Sequence, residues 1–115
     1  MAAHDRTEPV YMIGVVAELT HMHAQTIRLY ERLGLVTPQR RNKNRLYSET
    51  DVERLRRIRR LTQEMGVNLA GVQVILDLLE RLEQLQVERD SLHQRSQFIE
   101  DRIRELMAQN GGQFP

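Results

Sequence analysis

A chain of 115 residues has room for one compact domain and an appendage, and without Trp its core must come from Leu, Ile, Val and Met. The absence of Cys excludes disulfides, thiol redox sensing and thiolate metal ligation in these residues, and no apolar run approaches a membrane span or a secretory signal. The net charge of +1 excludes neither polyanions nor self-association, because it hides a strong asymmetry along the chain.

Residues 1–9 show no periodicity and are expected to form a flexible arm. Residues 10–12 suit a short extended segment. Residues 13–20 predict a first short helix with Val15, Val16 and Leu19 as its apolar side, and His21, Met22 and His23 form the turn after it. Residues 24–33 predict a second helix. Ile27, Tyr30 and Leu33 recur at the spacing that places side chains on one helix face, while Gln25, Arg28 and Arg32 lie on or near the other. Gly34 stands where a helix C-terminus favours a residue tolerant of a left-handed backbone. Two short helices joined by a tight turn give a helix-turn-helix pattern, which many small helical domains share.

The segment from Val36 to Tyr47 has no helical period and is dense in basic residues, so a small β-hairpin or wing is expected. Ser48 can cap a third helix whose first turn is acidic, as the helix dipole favours. That helix is expected to run to about Met65, with Val52, Leu55, Ile58 and Leu61 buried. Arg54, Arg56, Arg57, Arg59 and Arg60 decorate the rest, pairing with Glu53, Glu64 or water, with one or two of them near a DNA backbone. Gly66 ends it, and Asn68 can cap a further helix holding Leu69, Val72, Ile75 and Leu76.

From there Leu78, Leu82, Leu85, Arg89, Leu92, Ser96, Ile99, Ile103 and Leu106 recur in alternating steps of four and three, the seam of a coiled coil. A single helix cannot bury such a stripe in water, and a second copy is the simplest partner. Parallel pairing would face Arg89 with its own copy. Antiparallel pairing centred near residue 94 layers Arg89 with Ile99, Leu92 with Ser96, Leu85 with Ile103 and Leu82 with Leu106, and against it brings Arg95 near its own copy. The expected organisation is an arm over 1–9, a winged helix-turn-helix domain over 10–79, a dimerisation helix over 80–109 and a flexible tail over 110–115. The fold class is mostly α.

Charge follows this division. Eleven of the 17 basic residues lie between Arg28 and Arg60 against four acids, and the remainder carries six basic against twelve acidic residues. Sixteen of the 17 are Arg, with Lys43 alone, and Arg suits bidentate phosphate and guanine contacts. The split predicts a half that binds a polyanion and a half that associates with itself. On the second helix His23, Gln25, Thr26, Arg28 and Tyr30 are the candidate DNA contacts, since Gln can read adenine and Arg guanine in a major groove, and Tyr30 on the Ile27–Leu33 face is equally a candidate for the core. On the wing Arg40, Arg41, Lys43, Arg45 and Tyr47 are candidates for phosphates or a minor groove, Tyr47 alternatively packing beneath it.

His21 and His23 lack a third ligand, so no metal and no cofactor are expected. There is no nucleophile–base pair and no phosphate-cradling glycine loop, so the chain is not expected to be an enzyme. The seam helix mixes Glu and Arg on its polar face, unlike a membrane-surface helix, and no membrane partner is expected. The expected location is cytoplasmic, at the nucleoid.

IGVVAELT, TIRLYERLGLV and RLYSETDVERL, in that order, resemble the DNA-binding half of the MerR family of bacterial regulators over about residues 11–79. The connection MGVNLAGVQVIL, with HAQTIRLYERLGLV and NRLYSETD, is similar to one branch, the heat-shock repressor or HspR type. The resemblance implies an antiparallel dimerisation helix, repression of chaperone operons through an inverted-repeat operator in double-stranded DNA, and in some members an Hsp70-type chaperone as co-repressor. It also implies a phosphate-contacting role for Tyr30. The chain departs from the family pattern in three places. The cysteines of metal-sensing members are missing, Leu29 replaces a frequent aromatic, and His23 stands where Ser commonly caps the second helix. Two other readings are a promoter-distorting activator of the same family and a helical adaptor whose arginines only solubilise it.

Overall fold

The computed structural model describes residues 5–110. Its elements are α1 (Ile13–Thr20), α2 (Ala24–Arg32), β1 (Gln39–Arg41), β2 (Asn44–Leu46), α3 (Glu49–Arg59) continued by a π turn (Arg60–Glu64), and α4 (Leu69–Gln109). The chain divides into two compact units, one ending at Val74 and the other starting at Ile75.

In the first unit the helix ends follow from local chemistry. His21 takes a left-handed backbone (φ 54°) and so stops α1, and Met22 N–H reaches back to Ala17 O at 3.1 Å. His23 caps α2 after all: its Nδ1 accepts from Gln25 N–H at 3.1 Å, filling the place of a Ser hydroxyl. Gly34 (φ 76°) closes α2, with Leu35 N–H on Tyr30 O at 2.9 Å. Ser48 and Asp51 form a reciprocal capping box at the start of α3, at 3.1 and 2.9 Å.

The wing is a two-stranded antiparallel hairpin in which Arg40 faces Arg45. Asn42 and Lys43 both have positive φ (50° and 70°), the backbone of a tight two-residue turn whose twist suits paired strands. Tyr11 and Tyr47 join in an isolated bridge that ties the segment before α1 to the end of the hairpin.

The core of this unit contains Val16, Ile27, Leu35, Val36, Tyr47 and Val72, with Val52, Leu55, Ile58 and Leu61 from the predicted stripe of α3. Several expectations need correction. On α1 the buried residues are Val16 and Thr20, whereas Val15 and Leu19 are exposed. Thr20 tolerates burial because its hydroxyl donates to Val16 O at 2.7 Å. Leu33 is exposed at the C-cap of α2, where the chain turns away and buries Leu35 and Val36 instead. Met22 in the turn is buried.

Residues 5–9, expected to belong to a flexible arm, are anchored. Pro9 is buried, Arg6 O accepts from Thr50 N–H and Oγ1 (3.1 Å each), and the Arg6 guanidinium pairs with Glu53. The remaining arm residues, 1–4, and the tail residues 111–115 lie outside the described residues.

The third helix departs from α geometry after Arg59. Thr62 Oγ1 donates to Ile58 O (2.9 Å), and Met65 N–H bonds Arg60 O across the wider turn before Gly66 (φ 68°) ends it. Asn68 then caps α4 through Gly71 N–H at 2.8 Å. Helix α4 runs unbroken for 41 residues, so the expected boundary after residue 79 falls inside one continuous helix.

In the second unit Leu78, Leu82, Leu85, Leu92, Ile99, Ile103 and Leu106 are all exposed, as are Arg89 and Ser96. Surface ion pairs such as Arg102–Glu105 (3.1 Å) decorate this helix. Each contributes at most a few tenths of a kcal/mol, about the magnitude of other exposed helical pairs.

Candidate nucleic-acid interface

Helix α2 is positioned by its apolar side. Ile27 is fully buried and Tyr30 nearly so, which turns Gln25 and Arg28 outward, with Thr26 half-buried and the His23 cap exposed at the helix start. Beside it, the hairpin exposes Arg40, Arg41 and Lys43. No ion pair or hydrogen bond engages the side chains of Arg28, Arg40, Arg41 or Lys43 among the described residues. Four free cations on one helix and the adjacent wing make a surface suited to phosphate and base edges.

Arg45 behaves differently from its neighbours. Its Nε lies 3.1 Å from Glu31 Oε1 on α2, is itself shielded from solvent, and makes no aligned hydrogen bond, so this is an ion pair. Arg45 was expected among the outward wing contacts; the structure turns its guanidinium back onto the second helix. Glu31, which sequence reasoning missed, is the one acid between Arg28 and Arg45. A lone carboxylate in a strongly basic stretch was the signal that could have found it.

For both tyrosines the structure favours the packing alternative over a surface contact. Tyr47 is fully buried, and its hydroxyl has no hydrogen-bond partner, so in this conformation it packs under the wing and presents nothing to a ligand. Tyr30 is 8% exposed, which leaves little of it for contact. Burial, followed by the nearby Glu31 carboxylate, pushes the Tyr47 phenol above its ordinary pKa of 10.0. A raised folded-state value favours the neutral phenol. Its stabilising effect is full below pH 10 and is lost as pH rises through the folded-state pKa. Tyr47→Phe removes an orphaned buried hydroxyl and should raise stability by about 1 kcal/mol at neutral pH. It should also flatten the alkaline limb of the stability curve without weakening DNA binding, checked by urea melts across pH.

Two arginines of α3 have roles that sequence did not show. Arg54 Nε donates to Leu35 O, and Arg56 grips Leu19 O through Nε (3.3 Å) and Nη2 (3.1 Å). Both therefore hold backbone carbonyls, Arg56 in the last turn of α1 and Arg54 just after α2, where the sequence suggested acids, water or a DNA backbone for the arginines of this helix. They position α1 and the segment after α2 on α3, and so set the stance of α2.

Among the described residues no group of three or more His, Cys, Asp or Glu is placed to hold a metal ion, and no helix is long and apolar enough to cross a membrane.

Residues 11–79 match the family described as MerR HTH family regulatory protein. The putative heat shock protein HspR of Streptomyces coelicolor is 47% identical over 79 residues, covering 68% of this chain and 52% of that protein. The HTH-type transcriptional regulator GlnR of Bacillus anthracis is 42% identical over 72 residues, covering 62% of this chain and 55% of its own. The chain thus spans about half the length of these curated relatives. The HTH-type transcriptional regulator ZntR of Escherichia coli is 31% identical over 103 residues, covering 86% of this chain and 72% of its own. Among solved structures, the transcription regulator PbrR691 of Ralstonia metallidurans, crystallised with lead(II), is similar in fold. Its TM-score is 0.58 at 26% identity, covering 87% of this chain and 82% of that one.

Proposed function

This chain belongs to the MerR HTH family, and from that premise we propose that it is a DNA-binding transcriptional repressor of heat-shock and chaperone operons, acting as a homodimer on an inverted-repeat operator. The observation that carries the reading is the set of free, outward cations on α2 and the wing, in a domain 47% identical to HspR. Arg28 and Gln25 read base edges in the major groove, with Thr26 and His23 at the helix start. Arg40, Arg41 and Lys43 hold phosphates beside them. Tyr30 adds at most an edge contact, because most of its ring serves the core.

The exposed seam of α4, from Leu78 to Leu106, pairs with a second copy in antiparallel sense, which removes the like-charge layer that parallel pairing would place at Arg89. The dimer presents two α2 helices to two half-sites. Likeness to HspR also makes an Hsp70-type chaperone the candidate co-repressor. The protein acts in the cytoplasm, at the nucleoid.

Arg28→Ala tests the base-reading role. Fluorescence anisotropy with an inverted-repeat duplex should show a loss of about 1–3 kcal/mol on that duplex, with far less change on a scrambled one. Arg40→Ala should instead weaken both duplexes alike and reduce the salt dependence by about one phosphate. Equal small effects of the two variants on both duplexes would sink the assignment of α2 as the reader.

A further inference from the structure

We infer that Glu31 is a specificity-determining residue: its carboxylate holds Arg45 of the wing in an ion pair, so that Arg45 positions the hairpin on α2 instead of binding phosphate. The inference rests on the DNA-binding reading and adds to it an acid that works inside a basic surface.

Three observations support it. The pair joins two separate elements of the proposed interface, α2 and β2, at 3.1 Å. Its side chains are 22% (Glu31) and 38% (Arg45) exposed, better shielded than the pairs on α4, so solvent and salt screen it less. The hairpin register also sets Arg40 directly opposite Arg45, on one face of the ribbon. Like charges in that relation repel, and Glu31 relieves the repulsion by drawing Arg45 away while Arg40 stays outward. The wing therefore offers three cations to a polyanion and uses the fourth as a tether.

A phosphate would be the natural competitor of Glu31 for Arg45. While the carboxylate holds Arg45, the wing keeps a fixed stance relative to Arg28 and Gln25, and only a duplex that fits both elements binds well. Without the carboxylate, the hairpin loses its tether and Arg45 becomes one more phosphate ligand. Sequence-independent binding then strengthens and discrimination falls.

The test uses the full chain with Glu31→Gln, Arg45→Gln and the double variant, each confirmed folded by circular dichroism and thermal melt. Anisotropy is measured over a salt series on inverted-repeat and scrambled duplexes. Glu31→Gln should tighten binding to the scrambled duplex, steepen its log–log salt slope by about 0.9 per tethered arginine released, and lower the ratio of the two affinities. Arg45→Gln should lower that ratio with no change in slope, and adding Glu31→Gln to it should change neither further.

A slope flattened by about 0.9 in Arg45→Gln would show Arg45 on a phosphate in the complex and overturn the inference. So would a Glu31→Gln protein with wild-type slope and ratio. Hydrogen exchange on the DNA-free protein decides the tether independently: amides of residues 39–46 should exchange faster in both single variants, and unchanged protection would refute it. If the wild type shows no preference for the repeat, the operator reading fails, while the exchange measurement still judges the tether.

Discussion

Leu85→Glu should split the protein into monomers and lower affinity for an inverted-repeat duplex by two to four orders of magnitude. Leu85 lies mid-seam on α4 and is exposed in the single chain. In the proposed antiparallel dimer it packs against Ile103 of the partner subunit, and the symmetry repeats that layer twice. A carboxylate there is desolvated without a counter-charge, a cost that a helix pair of this length cannot absorb twice. Loss of the dimer removes the second half-site from each binding event, and the effective concentration gained by linking two sites is worth about 10²–10⁴ in affinity. Sedimentation at micromolar protein reads the first effect and anisotropy the second. Glu31→Lys is not an equivalent control, because it alters the DNA surface; Val87→Glu, exposed and off the seam, is. A Leu85→Glu protein that stays dimeric would remove the seam from the interface.

Leu55→Ala should cost about 2–5 kcal/mol of folding stability. Leu55 is fully buried on α3, the helix whose arginines also hold Leu19 O and Leu35 O. The substitution removes three carbons from a small core and leaves a cavity that neighbouring helices cannot fill without moving. Against a total stability of about 5–15 kcal/mol, that loss is large enough to lower the occupancy of the folded, DNA-binding form on warming. Urea denaturation gives the value directly. Leu29→Ala, exposed on α2, should change stability far less. A loss at Leu55 no larger than that at Leu29 would contradict the packing described for α3.

The features legible in the sequence are those with one dominant local cause. Ser48 with an acid three residues on predicts its own cap, Gly34 and Gly66 mark left-handed stops, and the α3 stripe repeats often enough to fix its buried side. The hairpin was visible from the basic run without helical period. What sequence could not settle depends on tertiary contacts. Helix α1 has only eight residues and apolar side chains on more than one side, so its buried face is chosen by the partner helices. Thr20 became core because its hydroxyl bonds its own helix, which no hydropathy pattern reveals.

The arginines show the same limit. Composition marks sixteen of them but not their direction. Arg54 and Arg56 turn inward to carbonyls and Arg45 to Glu31, while Arg28, Arg40 and Arg41 stay outward. Tyr47 carries a polar handle that left a phosphate contact and packing beneath the wing both open, and its ring takes the second. His23 stands where Ser commonly caps the second helix, and its imidazole nitrogen accepts the same backbone bond.

The most direct test of the operator-binding account is the salt series on a labelled duplex carrying the inverted repeat upstream of the host's chaperone operon, beside a scrambled duplex of equal length. The account predicts tight binding to the repeat, two chains per duplex, and affinity on both duplexes that falls steeply with salt. Binding to neither duplex at low salt would contradict it and leave the coiled-coil adaptor as the reading to pursue.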